Sequence, residues 1–106
     1  MAWSGKPAEA RQAFEETLRY DPANVEARYD LGMVLAASGD NVRALESFDA
    51  ALRLKPDFAP AHVARIETLV AAGRYEDAWR AIPAARAAKA LIDPRLVEAL
   101  ASRVRH

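Results

Sequence analysis

Apolar residues recur along the chain with a helical rather than an alternating period. From Asn24 to Ala37 the apolar residues Val25, Tyr29, Leu31, Val34, Leu35 and Ala36 fit helical rather than alternating spacing. Ser38-Gly39-Asp40 interrupts that pattern with a glycine suited to a left-handed helix end. A second helix is predicted from about Asn41 to Leu54, burying Ala44, Leu45, Phe48, Ala51 and Leu52. Lys55-Pro56 stops it, because a residue that precedes proline avoids the α region. The same reading predicts a helix over Pro7–Tyr20, another over Ala59–Ala72 and a further one from Tyr75. Asp93-Pro94, an N-cap followed by a first-turn proline, opens a final amphipathic helix with Leu96, Val97, Leu100, Ala101 and Val104 inward.

These helices repeat. Gly5, Gly39 and Gly73 are evenly spaced, and Ala10, Ala44 and Ala78 take the same step. Phe14, Phe48 and Ile82 follow it too, and so do Pro22 and Pro56. Four series in one register do not arise by coincidence.

The unit Val25–Phe58 carries Leu31-Gly32, Gly39-Asp40, Ala44-Leu45, Phe48, Ala51-Leu52 and a closing Pro56, and on these residues it resembles a tetratricopeptide repeat. Gly32, Ala44 and Ala51 are small enough to let two antiparallel helices approach, while Phe48 fills the space between units. Residues 5–22 resemble the second half of a preceding repeat, and residues 59–92 a divergent following one. The resemblance implies an all-α fold of antiparallel helix-turn-helix repeats, stacked as a short right-handed α-solenoid. Residues 1–106 would then form a single domain, closed by a solvating helix over 93–106 with a polar outer face.

Three departures from the pattern matter. Only four residues precede Gly5, so the leading repeat lacks its first helix and Phe14, Leu18 and Trp3 are candidates for a self-association surface. Ile66 stands where the middle unit has Gly32, an exchange that Ile82 in place of Phe48 would compensate in volume. Pro83 falls inside the last repeat's second helix, where a kink or break near Trp79–Pro83 is expected.

Composition adds limits. The 106 residues include 25 alanines, 10 leucines and no cysteine, which favours packed helices and excludes a disulfide framework or a thiolate zinc site. No apolar run approaches the ~18 residues of a membrane span and no signal segment opens the chain, so a cytoplasmic protein without membrane attachment is expected. Chemistry is sparse. His62 lies on a predicted helix with no second ligand at helical spacing and reads as a packing residue. The carboxylate pairs lie in amphipathic helices, and neither a phosphate loop nor a nucleophile elbow occurs. No enzyme activity, cofactor or metal is expected.

A binding surface is expected instead. In this family the first helix of each repeat lines a concave groove that holds a peptide or protein segment. On this chain the groove would present Glu26, Tyr29, Asp30, Met33 and Ala37, then Val63, Glu67, Val70 and Ala71. That surface is apolar with acidic points and suits a basic, hydrophobic segment. Relatives that hold a C-terminal carboxylate use lysine, arginine and asparagine there, and this chain has none at those positions.

The zero net charge is unevenly spread, because residues 80–106 carry six basic and two acidic side chains, +4, which leaves −4 on residues 1–79. A basic end meeting an acidic surface of another copy would make a homodimer that weakens with salt. The C-terminal arginines lack aromatic interleaving, so nucleic acid is not an expected partner. The sequence thus reads as a non-catalytic protein-interaction module; an accessory helical segment of a larger enzyme or assembly is the alternative.

Overall fold

The computed structural model describes residues 6–104. Six helices follow one another: α1 Pro7–Tyr20, α2 Val25–Ala37, α3 Asn41–Leu54, α4 Ala59–Ala71, α5 Tyr75–Ala87 and α6 Pro94–Val104. No strand occurs among the described residues. Most starts and stops have a visible local cause. The Asn24 side chain accepts from the Ala27 N–H at 2.9 Å, and the Asp40 carboxylate from the Arg43 N–H at 3.2 Å. The Asp93 carboxylate accepts from the Arg95 N–H at 2.9 Å and caps α6. Gly39 and Gly73 take φ of +86° and +77°, which lets the Asp40 N–H reach back to the Leu35 carbonyl and the Arg74 N–H to that of Leu69. Lys89 closes α5 in the same way at φ +63°, with the Ala90 N–H donating to the Ala85 carbonyl.

Successive helices pack on one another, and α2 also approaches α4 directly. The chain is therefore an all-α solenoid, 45 × 26 × 20 Å, with α2 and α4 side by side. Two apolar clusters fill it. Leu31, Leu35, Ala44, Phe48 and Ala64 form one, with Phe14 and Leu18 of α1 packed against it. Leu45, Ile66, Leu69, Ile82 and Leu100 are the larger members of the other. A Cβ added to Gly32 would stand only 2.5 Å from Phe48 Cε1, so the fully buried ring lies directly on the glycine backbone. In the next unit Ile66 and Ile82 are both buried, 1% and 3% exposed, and share that volume between two side chains. The compensation expected for the missing glycine is thus realised.

Two further expectations meet the structure differently. Phe14 and Leu18 are half-buried against the α2 and α3 side chains of their own chain, while Trp3 lies outside the described residues. Pro83 does not break its helix, which runs without interruption from Tyr75 to Ala87. The ring sits on the exposed side of α5, where water can replace the N–H donor that the Trp79 carbonyl loses. Ala78, Ile82 and Ala85 meanwhile hold the opposite side in the core. Because nothing buried depends on the ring, Pro83→Ala should raise the thermal midpoint followed by circular dichroism. The gain should be smaller than the ~3 kcal/mol that separates the two residues in a free helix interior.

The outer face of α6 presents Arg95, Ala99, Ser102 and Arg103 to solvent, and the Arg103 guanidinium stacks 4.4 Å from the Tyr75 ring centroid. His62 is buried and donates from Nε2 to the Pro56 carbonyl at 2.7 Å, tying α4 to the turn before it.

Candidate functional site

The direct approach of α2 to α4 leaves a cleft of about 280 Å³ between them. Met33, Ala36 and Ala37 line one wall, and Ala64, Glu67, Thr68 and Ala71 the other, with Asn41 at one end. The small side chains follow from the repeat, since Ala37 and Ala71 occupy equivalent positions in successive units. Alanine at such positions keeps helix propensity high while leaving room between the helices.

Glu67 lines this opening, and Asp30 and Glu26 lie further along α2. Asp30 is half-buried, and burial first, then the neighbouring Glu26, pushes its carboxyl above the ordinary value of 3.8. Burial, Asp30 and Glu67 together push the Tyr29 hydroxyl up in the same sense. That Glu67 of α4 acts on Tyr29 of α2 places the charges of both helices in one field. Tyr29 is held from beneath by two rings, Phe48 at 6.0 Å between centroids and Phe58 at 5.6 Å in an edge-to-face arrangement. Among the described residues no lysine or arginine lines the cleft.

The residues expected at the groove therefore divide. Met33, Ala37, Glu67 and Ala71 line the cleft, with Glu26, Tyr29 and Asp30 further along α2. Val63 and Val70 do not line it: both are half-buried against the cluster that contains Leu69, Ile82 and Leu100. Ala36, Asn41, Ala64 and Thr68 belong to the lining and were not singled out from sequence. The sign that could have found the first is its place one turn beyond Met33 and next to Ala37. Phe14 and Leu18 lie away from this cleft, on α1.

A sequence model of the tetratricopeptide repeat matches residues 4–59, and a second matches residues 35–102. The chain belongs to the tetratricopeptide-repeat family. Membership makes it a protein–protein interaction module. A DnaJ homolog subfamily C member 7 homolog from Schizosaccharomyces pombe is 34% identical over 82 residues, which cover 66% of this chain. The matched part is 17% of that protein's length. Among solved structures, a mutant of MamA superposes with a TM-score of 0.71 at 28% identity, over 78% of this chain and 48% of that one. The Yersinia enterocolitica type III secretion translocator chaperone SycD superposes with a TM-score of 0.78 at 19% identity, over 97% of this chain and 72% of that one. The last likeness is one of fold.

In this tetratricopeptide-repeat unit the charge of the half-buried Asp30 carries a cost in the folded state. As pH rises, Asp30 ionises more readily in the unfolded chain than in the folded one, so its charge works against folding. That effect is absent below pH 3.8 and accrues as pH climbs through the raised folded value. Asp30→Asn should therefore unfold at a higher temperature than the parent at pH 7. The difference should vanish below pH 3.8 when melting curves are recorded across the acid range. Among the described residues no group of three metal-ligating side chains converges, and no helix is long and apolar enough to cross a membrane.

Proposed function

We propose that the α2–α4 face holds a protein segment that combines basic and apolar side chains, and that the unit works by binding rather than by catalysis. One observation carries the reading: Glu67 lines an alanine- and methionine-lined cleft, Asp30 and Glu26 follow along α2, and no basic side chain lines it among the described residues. An apolar side chain of the partner fills the cleft and loses contact with water, the main source of affinity. Lysine or arginine on the same segment meets the carboxylates, which steers the approach and sets orientation. A carboxylate-terminated peptide, by contrast, would face like charge. The same surface would serve this unit alone or as a segment of a larger assembly.

The test is a titration with a labelled amphipathic peptide of leucines and lysines, read by fluorescence anisotropy, beside a peptide with glutamate replacing every lysine. The basic peptide should bind saturably and the acidic one should not. Equal binding of both, or of neither, would remove the groove from consideration.

A further inference from the structure

One exposed surface of opposite character remains. On α5, Trp79, Pro83 and Arg86 follow at i, i+4 and i+7 and so share one face, with Arg80 beside them. Together with the edge of Ile82 they line a second hollow of about 340 Å³. Trp79 is 38% exposed, so part of a large ring meets water. Arg80 reaches only an exposed partner, Glu76 at 3.1 Å, and Arg86 makes no ion pair among the described residues. The face is thus an indole flanked by two guanidiniums whose backbone positions stand about 9 Å apart along the helix.

The two surfaces are complementary. The groove is an apolar cleft with Glu67 in its lining and Asp30 and Glu26 further along α2; on the α5 face the Trp79 indole, one wall of its hollow, is the knob, with guanidiniums beside it. They also stand on different helices, and α5 makes no direct approach to α2. We propose that the occupant of the groove is the α5 face of a second copy of this chain, with Trp79 entering the cleft and Arg80 and Arg86 meeting Glu26, Asp30 and Glu67. This rests on reading the groove as a binding surface. The contact joins different patches of the two copies, so it is head-to-tail and propagates into chains, or into a ring where the rotation closes.

Light scattering behind a sizing column tests this first on the unaltered chain. At low salt the mass should exceed the monomer's 11.6 kDa and grow with concentration. It should return to the monomer by roughly 0.5 M sodium chloride, where screening acts within a few ångströms. Two variants, both built with Trp3→Phe, then locate the contact. Trp79→Ala with Arg86→Ser removes the knob and leaves the groove. Glu26→Lys with Glu67→Lys removes the groove and leaves the knob. Each should be monomeric alone and folded by circular dichroism. Mixed one to one, they should form a species of twice the monomer mass, and the emission of Trp79, the sole remaining tryptophan, should shift to the blue.

Monomeric behaviour of the unaltered chain at every salt and concentration overturns the proposal. So does assembly of either variant alone, or a mixture that stays apart. These results separate from a failure of the groove itself. A monomeric chain that still binds the basic peptide through Glu26 and Glu67 refutes self-occupancy alone, whereas one that binds no peptide refutes both readings.

Discussion

Gly32→Leu should lower the unfolding midpoint by about 5–20 °C, corresponding to roughly 1–3 kcal/mol or more of overpacking in a domain of this size. The physical reason is the ring of Phe48. A Cβ at position 32 alone would lie 2.5, 2.7 and 2.9 Å from three of its atoms, and real Cβ atoms essentially never come that close. Phe48 is fully buried and cannot swing into solvent, so α2 and α3 must part. Parting them opens the contacts of Leu31, Leu35 and Ala44 as well. The next repeat shows the other solution to the same packing problem, Ile66 against Ile82. Gly32→Ile combined with Phe48→Ile should therefore recover part of what Gly32→Ile loses alone, a coupling that melting curves of the single and double variants would measure. If Gly32→Leu melted like the parent, this helix register would be untenable.

Glu26→Lys with Glu67→Lys should weaken the basic peptide by roughly 30- to 1,000-fold. Each reversal exchanges an attraction of up to ~1 kcal/mol for a repulsion of similar size. The pair thus sums to about 2–4 kcal/mol, with tenfold in affinity for each ~1.4 kcal/mol. Both side chains are exposed, so the melting midpoint should barely move. A second pair, Glu46→Lys with Glu98→Lys, changes the net charge equally on α3 and α6, away from the cleft. It should leave the peptide affinity nearly intact, apart from a general salt-dependent term. Equal loss in the two pairs would mean that overall charge, and not the groove, governs binding. Competing ions offer a further check, because the effect of the groove pair should shrink as ionic strength rises.

Half of the cleft lining, Met33, Ala37, Glu67 and Ala71, was legible in the sequence because equivalent positions recur at the constant interval of the repeat. Glu26, Tyr29, Asp30 and Met33 follow helical spacing along one face of α2, and the repeat carries that face to Glu67 and Ala71 of α4. Val63 and Val70 show where the projection stops. Val63 is the repeat equivalent of Tyr29, yet Tyr29 meets Phe48 and Phe58 whereas Val63 joins the cluster around Leu69, Ile82 and Leu100. Equivalent positions share an orientation on their helix, but which neighbour covers them depends on the helix packed next in space.

The helices, their caps and their order were set by the chain's own local chemistry. Apolar period, asparagine and aspartate caps, glycine turns and the proline stop all act within a few residues, so they can be read without knowing the fold. The tetratricopeptide register followed from them because one repeat is one local unit. Tertiary structure alone decided three things. It kept α5 unbroken through Pro83, since packing of Ala78, Ile82 and Ala85 outweighs a local penalty on the wet side of the helix. It placed Lys89 in a left-handed turn that no lysine announces. And it brought Glu67 of α4 to act on Tyr29 of α2 beside Asp30, because residues so far apart in sequence become neighbours only when two helices lie side by side.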